Sequence, residues 1–143
     1  MSAPPIAGVL ETAIYVADLP RARAFYEGVL GLVPMFADAR LAAYPVGASV
    51  LLVFLRGGTA ETVALPGGTI PGHDGAGRIH YALSIAAADL PAWAARLAAH
   101  GVAEEGRMRW PRGGTSLYFR DPDGHLGELA TPGIWPHENF AAG

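Results

Sequence analysis

The chain contains no cysteine and no lysine. The first absence excludes disulfides, thiolate-bound zinc, iron–sulfur clusters and cysteine nucleophiles, leaving His and carboxylate as the side chains able to hold a metal. The second makes all ten basic residues arginines, which excludes a Schiff-base lysine and a phosphate-loop lysine. Charge is sparse as well: 16% of the residues are charged, the net charge is −3, and no basic run occurs. Nucleic acid is therefore not an expected partner, because neutralising phosphates takes clustered cations. No stretch approaches the roughly 18 consecutive apolar residues of a membrane-spanning helix. The opening Met1-Ser2-Ala3-Pro4-Pro5 has neither the cationic start nor the apolar run of an export signal, so a soluble cytoplasmic protein with no membrane partner is expected. What is present is 143 residues, 51% of them hydrophobic, enough for one domain with a proper core.

The pattern with the most local information lies near the C-terminus, where two alternating runs between Gly113 and Leu129 flank Asp121-Pro122-Asp123-Gly124. Pro122-Asp123 suits the centre of a type I turn and Gly124 the left-handed position after it, which predicts a β-hairpin with a three-residue bulged loop. With Asp121 opposite His125, Tyr118 falls opposite Glu128 on one face of the sheet. A carboxylate in that mid-strand position is costly unless it is paired, protonated or bound to a cation.

Read in order, Val9–Val16 is a strand that places Leu10, Ile14 and Val16 on one side and Glu11, Ala13 and Tyr15 on the other. Asp18 as N-cap and Pro20 in the first turn start a helix with Ala22, Phe25, Tyr26, Val29 and Leu30 on its apolar face, and Gly31 ends it. Strands are expected over 41–46 and 49–55 with a turn at Gly47. Residues 57–77, rich in Gly, Pro, Thr and Ala, read as a long linker or covering loop. The opening pattern then returns: a strand at 79–85, a helix restarting at Asp89-Leu90-Pro91 with Trp93, Ala94, Leu97 and Ala98 on its apolar side, and Gly101-Val102 closing it. Asp-Leu-Pro at Asp18 and Asp89, and Gly-Leu-Val at Gly31 against Gly-Val-Ala at Gly101, mark an internal duplication in which neither copy alone can cover its sheet. Alignment of the copies puts Glu11 and His80 at equivalent positions.

The duplicated strand–helix–strands pattern, the Asp-Pro-Asp-Gly-x-x-x-Glu-Leu stretch from Asp121 to Leu129 and a ligand-type residue on the first strand of each half resemble the vicinal oxygen chelate superfamily. That superfamily includes glyoxalase I, fosfomycin-resistance enzymes, extradiol dioxygenases and bleomycin-binding proteins. The resemblance implies an α+β fold of two βαβββ modules forming a curved mixed sheet around a cleft. A single domain over 8–132 is then expected, with module one about 8–56, the loop 57–77, module two 78–132 and a tail over 133–143. It also implies a divalent metal, Fe, Mn, Ni or Zn, held by Glu11, His80 and Glu128, with Tyr118 as proton donor or orienting hydrogen bond. Ser116, in the Ser-x-Tyr-Phe run before the turn, is implied as substrate-binding, with Trp110 and Tyr44 as lining; for Tyr44 a place in the core is the alternative.

Departures from the family's members separate the readings. The region matching the last strand of module one, Val50-Leu51-Leu52-Val53-Phe54, offers no fourth ligand of the glyoxalase I type. Extradiol dioxygenases have His where Glu11 stands, and fosfomycin-type enzymes have Thr where Ala13 stands. The leading expectation is a metal-dependent lyase, isomerase or dioxygenase acting on a small molecule through adjacent oxygens. The alternative is a metal-free binding protein that sequesters an aromatic or cationic molecule in a dimer cleft. A homodimer is expected in either case, since open sheet edges and an apolar cleft wall call for a partner. The loop 57–77 is read as a lid or as a passive linker. Among the remaining candidates, His125 is read as a turn residue, His100 as a helix C-terminal histidine, His137 as surface and Trp93 as helix core. His73 would reach a ligand only if the loop folds over, and Trp135 suggests that the tail packs onto something.

Overall fold

The computed structural model describes residues 1–137. The strands are β1 (Glu11–Val16), β2 (Phe36–Ala37), β3 (Leu41–Val46), β4 (Ser49–Leu55), β5 (Val63–Leu65), β6 (Gly68–Ile70), β7 (His80–Ser84), β8 (Gly106–Arg109), β9 (Thr115–Arg120) and β10 (Leu126–Ala130). Two α-helices accompany them, α1 (Leu19–Gly28) and α2 (Leu90–Ala99), the second entered through a 3-10 turn over Ala87–Asp89. The class is α+β, with two four-stranded mixed sheets of order β1-β4-β3-β2 and β7-β10-β9-β8. Each sheet contains one parallel pair, β1 with β4 and β7 with β10, and the remaining neighbours are antiparallel. The duplication read from sequence is thus a duplication of topology. No helix among the described residues is long and apolar enough to cross a membrane.

The chain forms two compact units that do not follow sequence order. The first comprises residues 1–19 and 32–75. Its buried face carries Ile14, Val16, Ala42, Tyr44, Leu51 and Val53, the inward half of the period-2 pattern on three strands. Gly47, at φ +56°, makes the turn between β3 and β4 where the sequence placed it. The stretch 57–77, expected to be without regular structure, contains the β5–β6 hairpin. Three-residue strands are too short to show periodicity, which is why the sequence hid them.

The second unit comprises residues 20–31 and the chain from Ala76 onward. Helix α1 belongs to this unit rather than to the sheet it follows, because its aromatic face is matched there. Phe25 lies 6.0 Å from Phe119, ring centre to ring centre, and the Tyr26 hydroxyl donates to Asp121 Oδ2 at 2.8 Å. The five apolar residues expected on that helix are all buried. Helix α2 behaves differently, for Leu97 is its one buried residue and Trp93, expected in the core, is half-buried.

The hairpin that closes the second sheet has the expected register, with Tyr118 opposite Glu128. Asp121 opens the loop by accepting the N–H groups of Asp123 and His125, and Gly124 takes φ +84°. His125 is a turn residue whose ring points inward: it is 1% exposed, and its Nδ1 accepts the Ile79 N–H at 3.0 Å. That bond fixes the start of β7, and with it the position of His80.

Candidate functional site

Glu128 lies on β10, an inner strand of the second sheet, between Ala82 of β7 and Tyr118 of β9. Flanked on both sides, its side chain is 9% exposed. Its two oxygens have different partners. Oε2 accepts the Ser116 hydroxyl at 2.5 Å, and the Ser116 oxygen in turn accepts the Trp110 indole N–H at 2.8 Å. Oε1 faces His80 Nε2 at 3.2 Å.

The other ring nitrogen of His80 decides what that last contact means. Nδ1 lies 2.8 Å from the carbonyl oxygen of Leu126, which can only accept, so Nδ1 carries a hydrogen. In a neutral ring Nε2 is then a lone pair facing a carboxylate. Two acceptors at 3.2 Å call for positive charge, supplied by a proton on Nε2 or by a metal ion bound to both groups. The arrangement fits a metal: an imidazole whose far N–H is fixed by a backbone carbonyl and a carboxylate whose second oxygen is fixed by a hydroxyl are the usual outer supports of such ligands.

Glu11, the third expected ligand, stands exposed at the first residue of β1. Like His80 on β7, it is the first residue of its strand, and it pairs with Val50 as His80 pairs with Leu126. Two residues further along the partner strand, Leu52 occupies the place that Glu128 occupies in the second sheet. The first sheet therefore presents one ligand-type side chain where the second presents two. Among the described residues of the single chain no group of three His, Asp or Glu side chains converges.

Two of the expected substrate-binding residues have other roles in the structure. Tyr44 is fully buried, on the face of the first sheet opposite Glu11, so it belongs to the core. Ser116 is also fully buried, and both its hydrogen-bonding roles are taken, which makes it a positioning residue for the Glu128 carboxylate. Trp110 does line a pocket. This pocket, of about 380 Å³, is bounded by His80, Glu128 and Tyr118, by the small side chains of Ala82, Ser84 and Ala130, and by Trp110, Ile134 and Trp135. The small residues were missed at the sequence level, whereas the tail, read as packing onto something through Trp135, lines this pocket.

The remaining titratable cluster lies in the first unit. Tyr15 OH is 2.6 Å from His73 Nδ1, and His73 lies edge-on to Phe54 with ring centres 4.8 Å apart. Asp74 accepts the N–H groups of Gly57 and Gly75, which hold its carboxyl below the usual carboxylate range. These contacts fix the end of the long loop to β1 and β4.

Two topologically equivalent four-stranded sheets, each with its first and last strands parallel, define a duplicated α+β class of protein, with an imidazole–carboxylate pair on the second sheet. Residues 8–129 match the family model described as the Glyoxalase/Bleomycin resistance protein/Dioxygenase superfamily, and the chain belongs to that superfamily. Among solved structures it is similar to a lactoylglutathione lyase from Agrobacterium tumefaciens, with 31% identity over 93% of this chain and 99% of that one and a TM-score of 0.83. It is also similar to the fosfomycin resistance protein FosX from Mesorhizobium loti, at 27% identity over 89% and 93% of the two chains with a TM-score of 0.61. A glyoxalase-related enzyme from Fulvimarina pelagi shares 25% identity over 94% of each chain, with a TM-score of 0.66.

Proposed function

We propose that this chain is a divalent-metal-dependent enzyme acting on a small molecule through two neighbouring oxygens, as a lyase, isomerase or dioxygenase. The observation that carries the reading is the 3.2 Å approach of His80 Nε2 to Glu128 Oε1 with Nδ1 already committed to the Leu126 carbonyl. His80 and Glu128 would hold the cation, and Glu11 of a second copy would add a third donor. A set of one imidazole and two carboxylates suits Mn²⁺, Fe²⁺, Ni²⁺ or Zn²⁺. When bound, such a cation supplies Lewis-acid stabilisation of negative charge developing on a substrate oxygen.

The remaining work falls to the chain itself. Trp110 and Ser116 hold the Glu128 carboxylate in one orientation, the indole N–H donating to the Ser116 oxygen and the Ser116 hydroxyl to Oε2. The Leu126 carbonyl holds the His80 ring in the tautomer that leaves Nε2 available. Tyr118, directly across from Glu128 with its ring 6.3 Å from that of His80, is placed to donate a proton or a hydrogen bond to a substrate oxygen. The likeness to a lactoylglutathione lyase and to FosX supports an enzyme rather than a binding protein.

Metal analysis of protein purified without chelator tests the reading. Bound divalent metal is expected in the parent, with loss in Glu128→Ala and in His80→Ala. A parent that takes up none of Mn²⁺, Fe²⁺, Ni²⁺ or Zn²⁺ would leave His80 and Glu128 as a proton-bridged ion pair, the arrangement a metal-free binding protein would keep.

A further inference from the structure

Along the second sheet the register runs from His80 opposite Leu126, through Ala82 opposite Glu128, to Ser84 opposite Ala130. The polar pair thus occupies one end of the pocket, and three small side chains form its floor beyond. Space over those small residues is bounded by Trp110, Ile134 and Trp135. The pocket lining contains no arginine, and its one formal anion is Glu128. Ile134 and Trp135 lie beyond residues 8–129, the part matched to the superfamily, so this wall is supplied by the chain's own tail.

One backbone junction sets both tryptophans. Gly114 N–H donates to the Gly133 carbonyl at 3.1 Å, and Trp110 N–H donates to the Gly114 carbonyl at 2.8 Å. A Cβ on Gly114 would meet Gly133 C at 2.8 Å, and Gly133 itself takes φ +109°. The close approach is open to glycine alone at these two positions. Thr131 adds a second tie, accepting the Thr115 N–H on its hydroxyl at 2.8 Å.

From this geometry we infer that the tail completes a flat apolar slot which selects substrates bearing an uncharged aromatic or similarly planar group, and rejects those with a carboxylate or phosphate there. The small floor leaves room for a ring, the indoles offer faces for stacking, and an anion over that floor would be desolvated with no arginine to pair it. The inference deepens the proposed function and rests on it only in placing the reacting oxygens at His80 and Glu128.

Equilibrium dialysis of the full chain, stripped of metal by chelator, against 2-naphthol and 2-naphthoate at neutral pH tests the slot apart from the metal. Binding of 2-naphthol is expected, with 2-naphthoate weaker by about tenfold or more, and a loss of about tenfold or more in Trp135→Ala and in the floor-filling Ala130→Leu. Trp135 is 63% exposed, so its removal leaves the fold intact. Metal content is measured in parallel on parent and variant purified without chelator, and Trp135→Ala is expected to match the parent. No 2-naphthol binding, equal binding of the anion, or a Trp135→Ala variant that binds like the parent overturns the slot whatever the metal content shows. A parent that holds no metal when purified without chelator, but whose stripped form binds 2-naphthol in this pattern, upholds the slot and overturns the metal reading alone.

Discussion

Tyr26 shows how single residues fix the second unit. Its hydroxyl donates to Asp121 Oδ2 and accepts from Tyr81, each at 2.8 Å, while Asp121 also receives two backbone N–H groups of its own turn. The hairpin that carries Tyr118 and Glu128 is thereby tied to helix α1 through a buried carboxylate. Tyr26→Phe removes the donor and is expected to cost about 1–3 kcal/mol in urea denaturation at neutral pH. Alkali acts on the same group. Burial, with Tyr81 and Asp121 beside it, raises the Tyr26 hydroxyl far above its ordinary value of 10.0, and burial raises Tyr81 in the same direction. Above pH 10 the unfolded chain gives up these protons and the folded chain keeps them. Their contribution is therefore complete below about pH 10 and lost as the pH rises further. Urea midpoints are expected to fall between about pH 9.5 and 11, with a shallower fall in Tyr81→Phe.

Among the elements, β10 is the most constrained. Gly127, next to Glu128 in sequence, has the Phe119 ring lying directly on it, so any Cβ there would collide with the ring. Gly127→Ala is expected to displace Phe119 and lower stability by about 1–3 kcal/mol, read as a drop in Tm, with weakened metal uptake because Glu128 shifts with its strand. The β5–β6 hairpin is the opposite case. The chain after it is fastened through His73 and Asp74, while Leu65 beside its turn and Ile70 at its open end are 54% and 51% exposed. If the segment is the lid rather than the linker read from sequence, cleavage at 60–70 in limited proteolysis is expected to slow when metal and an inhibitor saturate the site. Unchanged cleavage would make the segment a passive linker.

For the molecule as a whole, the outstanding feature is an unprotected edge. β1 and β2 border the first sheet, and β7 and β8 the second. β8 carries Arg107 and Arg109, the kind of charge that discourages edge pairing, whereas β1 has no basic residue and is preceded by Val9 and Leu10, 80% and 71% exposed. Val33, Met35 and Phe36 in the same unit are exposed as well. A homodimer that covers this surface is expected at micromolar concentration, and light scattering that gives the mass of one chain would refute it.

The sequence by itself determined both helices, the strands β1, β3, β4 and β7 and the closing hairpin, because those depend on short-range rules, whereas the short strands β2, β5, β6 and β8 left no readable period. Glycines with positive φ stand at Gly31, Gly47, Gly101 and Gly124, the four places where turns or helix ends were read. Period-2 alternation placed Glu128 opposite Tyr118, and the repeat made Glu11 and His80 equivalent. Tertiary structure decided what no local rule records. Helix α1 joins the second sheet because Phe25 and Tyr26 find their partners there, and partner choice is a matter of packing rather than of chain order. The state of Glu128 depends on Ser116, Trp110 and His80, which lie 12, 18 and 48 positions away in sequence. The slot depends on two glycine backbones meeting, a contact that leaves no periodic or compositional trace in the chain.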